Sequence, residues 1–310
     1  MNKLKFKLTS LLFLNLLLFM FMACSSVNEN LIDIEARGYD NPSRLISTEW
    51  LESNIDNDLI IIDVRKKDDY DNGHIPGAFH MNPGEVFQNE INGVKGMLPP
   101  ASHIEKNLRL TGADPNSVII FYDGNSNLWS SRALWALDVY GHKNTKLLDG
   151  AWPKWEREER EVSKSSPQAE SSNYEFSTNP DNSIIANFDE ILESIDDPSK
   201  IVCDTRSPEE YSGKDVRADR GGHIPNSKNV NWVMGINDDG EFKSADELNQ
   251  LYEGAGITDG ETIYTLCQTA VRATHTWFIL TDLLGEENVK VYDGSWTEWG
   301  NETSLPIQTK

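Results

Sequence analysis

Short apolar runs alternate with amphipathic stretches along most of the chain. Leu59–Asp63, apart from its last residue, and Val118–Tyr122 consist of aliphatic, β-branched and aromatic residues, which predicts strands covered on both faces of a sheet. Between residues 130 and 140, Leu134 and Leu137 recur at the spacing of one buried helix face. Strands that alternate with helices predict an α/β fold, in which a parallel sheet carries helices on both faces.

The second half of the chain repeats the first. Asp63-x-Arg65 recurs as Asp204-x-Arg206, and the Gly-His-Ile-Pro turn at 73–76 recurs at 222–225. From residue 119 to 155 the halves align without a gap at an offset of 144 residues, which includes an Asp-Gly-x-Trp-x-x-Trp motif in each half. A repeat of this length indicates two units of one fold. We predict domains at 43–156 and 184–310, joined by a polar linker at 157–183.

The second half carries a candidate nucleophile where an apolar strand ends. Cys267 follows that strand and precedes an amphipathic helix, a position at which open α/β sheets place ligands. Turn N–H groups, the helix dipole and Arg272 each favour a thiolate over a thiol, which predicts an activated nucleophile. The alternative is a buried structural cysteine. At the same offset Asp123 and Leu128 replace these two residues, so we expect the first domain to be inactive and to help wall the site.

The charge of the chain excludes one class of partner. With 28 Lys and Arg against 50 Asp and Glu, the 310 residues carry a net charge of −22, which disfavours nucleic acid. A small anionic substrate then needs local cations. The second half has eight additional residues before its Gly-His-Ile-Pro turn, and they include Arg217 and Arg220. We expect at least one of them to contact substrate, with Arg220 favoured because it adjoins the turn; the alternative is surface pairing with Asp215 and Asp219.

The first residues resemble a bacterial lipoprotein signal. Residues 1–23 have a basic start, a short apolar core and Phe-Met-Ala before Cys24. This resemblance implies that Cys24 is lipidated, that residues 24–42 form a tether, and that the protein lies on a membrane of the cell envelope, facing the periplasm or exterior. An uncleaved anchor and a plain secretory signal are the alternatives.

The motifs together resemble the rhodanese family of sulfurtransferases in its tandem form, with two rhodanese-like domains of which only the second is active. The loop Cys267-Gln-Thr-Ala-Val-Arg272 is similar to the Cys-Gln-Thr-x-x-Arg loop of bacterial thiosulfate:cyanide sulfurtransferases. Its six-residue length is that of sulfurtransferases, since the related phosphatases have a loop one residue longer. The other marks of the resemblance are Asp204-x-Arg206, the second Gly-His-Ile-Pro turn and Asp-Gly-Ser-Trp-x-Glu-Trp at 293–299.

This resemblance implies a reaction in two steps. The Cys267 thiolate takes the outer sulfur of thiosulfate, and the persulfide passes it to cyanide or a thiol, without a metal or organic cofactor. The catalytic residues are then Cys267 and Arg272. Candidate substrate-binding residues are Arg217, Arg220, Gln268, Thr269, Ala270, Val271, Asp204, Arg206 and Trp232. The alternatives are a 3-mercaptopyruvate sulfurtransferase and a lipid-anchored sulfur carrier with little turnover of its own.

Five residues near the predicted loop need separate interpretation. Asp204 and Arg206 either orient the active loop or form a buried ion pair, and their recurrence in the first half favours the ion pair. Trp232 has no counterpart in the first half and is expected to line the pocket. Cys203 is expected in the core, although a disulfide with Cys267 is an alternative. His275 is expected to pack rather than to act as a base.

Overall fold

The first domain contains one parallel sheet and a separate hairpin. The computed structural model describes residues 34–177, 179–258 and 260–309. In the sheet, the spatial order is β1-β7-β6-β2-β3, and β4 and β5 form the antiparallel hairpin. The elements in chain order are β1 (Leu45–Ile46), α1 (Thr48–Asn54), β2 (Leu59–Asp63), α2 (Lys67–Asn72), β3 (Phe79–His80), α3 (Pro83–Val86), β4 (Asn89–Ile91), β5 (Val94–Met97), α4 (Ala101–Arg109), β6 (Val118–Tyr122), α5 (Leu128–Val139), β7 (Thr145–Leu148) and α6 (Ala151–Arg157).

The second domain repeats this topology. Its elements are β8 (Ile185–Ala186), α7 (Phe188–Ser194), β9 (Lys200–Asp204), α8 (Pro208–Tyr211), β10 (Lys228–Asn229), α9 (Ala245–Gly254), β11 (Thr262–Leu266), α10 (Val271–Phe278), β12 (Val289–Tyr292) and α11 (Ser295–Trp299). Short 3₁₀ helices lie at Pro42–Arg44, Asn182–Ile184 and Trp232–Gly235, and a π-helical turn at Ile279–Leu283 extends α10. The order β8-β12-β11-β9-β10 matches the first sheet strand for strand. The predicted fold class, two α/β units with parallel sheets, is confirmed.

The two domains pack through equivalent helices. Helix α5 of the first domain and helix α10 of the second lie against each other, and ten of the twelve residues of α5 are buried. One apolar cluster continues from Phe121 and Leu134 of the first domain to Trp277 and Leu280 of the second. Burial on this scale stabilises a fixed arrangement of the domains. The first domain is therefore placed beside the loop that begins at Cys267.

Residues 34–41 pack against both domains rather than forming a tether. Tyr39 is buried, and its hydroxyl donates a hydrogen bond to the carbonyl of Lys243 at 2.8 Å. Arg37 binds Asp149 of the first domain at 2.6 Å and the carbonyl of Phe242 of the second at 3.1 Å. The prediction of a tether over 24–42 is wrong for residues 34–41, because these side chains have partners in the folded core.

The predicted leader at 1–23 and the predicted lipid site at Cys24 lie outside the described residues. Within the residues that the structure describes, no helix has the length and apolar character needed to cross a membrane.

The polar segment between the domains follows the surface of the first domain. Ser163 pairs with His74 in an isolated antiparallel bridge. Tyr174 is buried, its hydroxyl lies 2.8 Å from Nδ1 of His142, and its carbonyl accepts a hydrogen bond from Nε of Arg109 at 2.8 Å. The second domain's first 3₁₀ turn begins at Asn182, close to the predicted boundary. The described part of the linker is therefore fixed in place.

Candidate active site

The loop that begins at Cys267 closes on itself around the hydroxyl of Ser295. The backbone N–H groups of Cys267 and Ala270 donate to Oγ of Ser295 at 3.2 and 3.1 Å, and this hydroxyl donates to the carbonyl of Tyr292 at 2.8 Å. Ala270 has a φ of 61°, in the left-handed region, and α10 begins at the next residue. The Cys267 residue is 1% exposed. Ser295 therefore ties the start of the loop to the residue before α10, a role that its place in the Asp-Gly-Ser-Trp motif did not predict.

The outer side of the loop is fixed by helix α11. The backbone N–H groups of Trp296 and Thr297 donate to the carbonyls of Cys267 and Gln268 at 2.9 and 3.0 Å. The hydroxyl of Thr297 also donates to the Gln268 carbonyl, at 2.6 Å. The Gln268 side chain donates to the carbonyl of Arg217 at 3.0 Å. These contacts set the orientation of the first two peptide groups of the loop.

Arg272 forms a two-pronged ion pair with Glu210, which lies on α8. The N–O distances are 2.6 and 2.8 Å, and Glu210 is 1% exposed. Burial is the largest single influence and would raise the pKa of Glu210, but the hydrogen bonds and charge of Arg272, the Ser207 N–H and the charge of Arg217 together hold that pKa at about 2. Burial would likewise lower the pKa of Arg272, but its contacts with Glu210 and Cys267 raise it above the usual value. A permanent positive charge therefore stands beside the Cys267 thiol, as predicted for Arg272.

Glu210 was missed by the sequence analysis. It is the third helical residue after Ser207, and the two residues form a capping box: Oγ of Ser207 accepts from the Glu210 N–H, and the Glu210 carboxylate accepts from the Ser207 N–H. The sequence signal Ser-Pro-Glu-Glu therefore indicates a helix start. Nothing local in it shows that the same carboxylate reaches a residue 62 positions away.

The structure places the two arginines of the inserted segment differently, and contact of either one with substrate stays a prediction. The guanidinium of Arg220 donates to the backbone carbonyls of Trp299, Leu305 and Glu302, so it holds the end of α11 and the segment after it. Arg217 lies beside the loop instead. Its side chain is half exposed, pairs with Asp215 at 2.6 Å and approaches Glu210 to 3.6 Å. Arg217 is therefore the arginine of the inserted segment that remains near the site.

Asp204 and Arg206 form the same ion pair in the second domain that Asp63 and Arg65 form in the first. Arg206 binds Asp204 at 2.6 Å, donates to the carbonyl of Gly222 at 2.7 Å and stacks over Trp296 at 4.2 Å. In the first domain Arg65 binds Asp63 at 2.6 Å, donates to Gly73 and stacks over Trp152. An identical arrangement in a domain without a cysteine favours the ion-pair interpretation. These residues hold the Gly-His-Ile-Pro turn to the sheet.

Trp232 and His275 lie together at the domain interface. The two rings meet edge to face at 5.1 Å, and Trp232 is 9% exposed. Nε2 of His275 lies 3.2 Å from the carbonyl of Ser126 in the first domain, and burial lowers the pKa of His275 to about 3. A role for Trp232 in lining the substrate pocket stays a prediction. His275 packs, as expected, and stays neutral near pH 7.

Cys203 is a core residue. It is fully buried on β9, where it pairs in register with Thr265 of β11, and burial raises the pKa of its thiol. Both Cys203 and Cys267 are free thiols. The disulfide alternative is therefore not the state described by the structure.

The equivalent loop of the first domain is filled by its own carboxylate. Asp123 stands opposite Cys267 at the offset of 144 residues, and Ser126 and Ala270 share a left-handed backbone at equivalent positions. Burial raises the pKa of Asp123, and four backbone N–H groups oppose that shift. They belong to Asn125, Asn127, Trp129 and Ser130, at 2.7 to 3.1 Å from the carboxylate oxygens. The fold of this loop therefore directs its backbone N–H groups at the side chain in its centre. In the first domain, the Asp123 carboxylate oxygens accept these hydrogen bonds.

The first domain also contacts the Cys267 loop. The side chain of Gln88 donates to the carbonyl of Thr269 at 3.3 Å. Gly96, the third residue of β5, lies so close to the loop that an added Cβ would stand 2.7 Å from Cβ of Thr269. Among the described residues, no cluster of three or more His, Cys, Asp or Glu side chains is arranged to hold a metal ion.

Comparison with known proteins identifies the family. Residues 47–158 and 187–302 each match the rhodanese-like domain. The chain belongs to the rhodanese-like domain family. A protein of Saccharopolyspora erythraea, provisionally named a thiosulfate sulfurtransferase, is 40% identical over 276 residues, which cover 85% of this chain and 95% of that protein. The sulfur carrier protein TtuD of Thermus thermophilus is 36% identical over 283 residues, which cover 87% and 98% of the two chains.

Solved structures support the fold of this rhodanese-like chain. The anaerobic ergothioneine biosynthesis enzyme of Chlorobium limicola superposes with a TM-score of 0.77 at 22% identity. The alignment covers 87% of this chain and 71% of that enzyme. At this identity the similarity concerns the fold alone.

Proposed function

We propose that the chain is a sulfurtransferase that carries sulfane sulfur on Cys267, with thiosulfate as the donor. The geometry of the Cys267 loop supports this most strongly. The thiol follows a parallel strand, the backbone of the loop surrounds it, and the charged Arg272 lies beside it. Helix α10 begins inside the loop, so its first N–H groups and its dipole favour negative charge on sulfur.

The first half of the reaction transfers one sulfur atom to the enzyme. The Cys267 thiolate attacks the outer sulfur of thiosulfate and forms a new S–S bond. The bond between the outer sulfur and the sulfonate sulfur breaks, and sulfite leaves with its electron pair. The loop N–H groups and Arg272 stabilise the anionic oxygens and the persulfide that remains. Arg217 adds positive charge at the edge of the site.

The second half regenerates the thiolate. Cyanide or the thiolate of an acceptor attacks the terminal sulfur of the persulfide. The S–S bond breaks, thiocyanate or a new persulfide leaves, and Cys267 returns to the thiolate with the electron pair of that bond. No external oxidant or reductant takes part in either half.

A sulfur carrier with low turnover is the second candidate. It is favoured by the 1% exposure of Cys267, which limits access of a free acceptor, and by the name of the Thermus thermophilus relative. The donor 3-mercaptopyruvate is the other alternative. Rates measured with the two donors under identical conditions separate these possibilities from thiosulfate transfer.

We also propose that Cys24 carries a lipid and holds the chain on a membrane of the cell envelope, facing the periplasm or the exterior. The support is the leader pattern at 1–23, with a small residue directly before Cys24. The test is partition of the expressed chain between detergent and aqueous phases. Cys24→Ala is expected to move the chain to the aqueous phase; an unchanged distribution contradicts the lipid site.

The decisive experiment is intact-mass measurement of the full chain after thiosulfate treatment and removal of excess donor. One added sulfur, about 32 Da, is expected on the wild type and on Cys203→Ala, and it is expected to be absent from Cys267→Ala. Cyanide should remove it. A mass gain with 3-mercaptopyruvate but not with thiosulfate would identify 3-mercaptopyruvate as the donor. No gain with either defeats the proposed reaction.

A further inference from the structure

Arg132 joins the first domain to the second at a buried position. It lies on α5 with no exposed surface, and its Nη1 binds Oδ1 of Asp293 at 2.7 Å. Its other nitrogens donate to the carbonyl of Phe87 at 3.1 Å and to that of Gly96 at 3.0 Å. One guanidinium therefore connects the hairpin of the first domain with the segment of the second that precedes α11.

Asp293 transmits this contact toward the cysteine loop. Its second oxygen accepts the backbone N–H of Leu98 at 2.6 Å, so both carboxylate oxygens bind the first domain. Two residues later, Ser295 adopts a φ of 49°, which is left-handed, and its hydroxyl accepts the N–H groups of Cys267 and Ala270. A non-glycine residue in this region is held there by its surroundings. The anchored Asp293 supplies part of that restraint.

The hairpin held by Arg132 also touches the loop directly. Arg132 fixes the Gly96 carbonyl, and Gly96 has a φ of 88° and room for no side chain against Thr269. Gln88, just before the hairpin, binds the Thr269 carbonyl. The loop is therefore held from Ser295 on one side and from Gly96 on the other, and Arg132 contributes to both restraints through Asp293 and the Gly96 carbonyl.

An equivalent connection exists on the inactive loop. At the offset of 144 residues, Gly240 corresponds to Gly96, Phe242 to Leu98 and Asp149 to Asp293. Asp149 accepts the N–H of Phe242 at 3.2 Å, and a Cβ on Gly240 would stand 3.2 Å from Oγ of Ser126 in the inactive loop. The arginine comes from elsewhere: Arg37 binds Asp149 at 2.6 Å. The Arg37–Asp149 contact beside the first domain's loop is therefore a control for the Arg132–Asp293 contact, because it does not reach the Cys267 loop.

We propose that Arg132 is a positioning residue for sulfur transfer, which acts through Asp293 and Gly96 to hold the loop around Cys267 in its binding shape. This inference rests on the proposed persulfide reaction at Cys267. Removing the guanidinium leaves a buried carboxylate with one partner fewer and frees two buried carbonyls, so the loop loses restraint on both sides. The inactive domain then has a role in the reaction beyond packing.

The first test compares Arg132→Met with Arg37→Met in the full chain. Both variants are expected to lower the unfolding temperature. Arg132→Met is expected to reduce kcat/KM with thiosulfate about tenfold or more, while Arg37→Met stays within about threefold. Arg132→Lys is expected to recover part of the rate. Equal effects of the two methionine variants on kcat/KM, or no effect of either, overturn the proposal.

A readout independent of sulfur transfer is the alkylation of Cys267 by iodoacetamide, followed by peptide mass analysis. A loosened loop exposes the thiol, so Arg132→Met is expected to increase the rate about tenfold, and Arg37→Met about twofold at most. If the wild type carries no sulfur, the proposed function fails, yet the alkylation rates still decide whether Arg132 positions the loop. Equal rates in the two variants reject it.

Gly96→Ala and Gly240→Ala form a second pair that keeps both arginines. Both glycines have left-handed φ values, 88° and 84°, so the backbone strain of alanine is similar. Only the methyl group at Gly96 meets the active loop. Gly96→Ala is expected to lower kcat/KM at least fivefold more than Gly240→Ala. This pair decides the question if Arg132→Met does not fold, and equal losses count against the proposal.

Discussion

Replacing Glu210 by glutamine tests the ion pair beside Cys267. The change removes the negative charge and keeps the shape, so Arg272 loses a two-pronged partner at 2.6 and 2.8 Å. A pKa of about 2 in place of the usual 4.5 corresponds to about 3 kcal/mol of stabilisation at pH 7, at about 1.4 kcal/mol for each pH unit. The Arg272 side chain is 16% exposed, and screening by water reduces the expected loss to about 2 kcal/mol.

The sign of the pH dependence follows from the lowered pKa. Because the folded state holds the Glu210 proton less tightly than the unfolded state, the stabilisation is complete above pH 4.5 and disappears as the pH falls toward about 2. About two fifths of it is lost at pH 3.5. The difference in unfolding free energy between wild type and Glu210→Gln should therefore be smaller at pH 3.5 than at pH 7.

The assay is urea unfolding of the full chain at both pH values. Glu209→Gln is the matched control, since Glu209 is exposed and lies on the same helix, one residue before Glu210. It is expected to change the unfolding free energy by less than about 0.5 kcal/mol. The reasoning is refuted if Glu210→Gln destabilises no more than this control, or if its effect is as large at pH 3.5 as at pH 7.

Three further predictions concern the site and its surroundings. Ser295→Ala removes the acceptor of two buried N–H groups and is expected to cost about 1 to 3 kcal/mol of stability and to slow sulfur loading of Cys267, measured by urea unfolding and by time-resolved intact mass. Arg217→Met is expected to raise the KM for thiosulfate several-fold, while Arg220→Met lowers the unfolding temperature with KM nearly unchanged; the opposite assignment contradicts the placement of the two arginines. The wild type buries a neutral imidazole at His275, so protonation favours the unfolded state and the unfolding free energy falls between pH 6.5 and about 3. His275→Phe is expected to make this fall smaller. Parallel curves of unfolding free energy against pH for the two proteins argue against it.

Local patterns in the sequence predicted the fold and the reactive residue. The strand at β11, the polar turn after it and Arg272 are contiguous, so the loop around Cys267 follows from a few neighbouring residues. The repeat then showed that Asp123 occupies the same place in the first half. The order of strand, turn and helix around Cys267 can be predicted from sequence, because the signals for these elements lie within a few neighbouring residues.

The neighbours of the reactive residue were decided by contacts between distant segments. Glu210 and Arg272 are 62 residues apart, and Arg132 and Asp293 are 161 apart. The positions of Arg217 and Arg220 depend on the path of the chain at the end of α11 and beyond. Carbonyls there bind the guanidinium of Arg220, while Arg217 lies at the edge of the site. Composition and spacing contain no signal for such pairs.

The sequence by itself therefore determined two α/β units, the equivalent loops at Asp123 and Cys267 and the position of Cys267 at the end of a strand, because each is specified within a short stretch. Only the tertiary structure decided which charges surround the thiol and that residues 34–41 pack between the domains. The physical reason is that a buried charge takes its partner from whatever the fold brings within hydrogen-bonding distance, and that partner is set by packing across the whole chain.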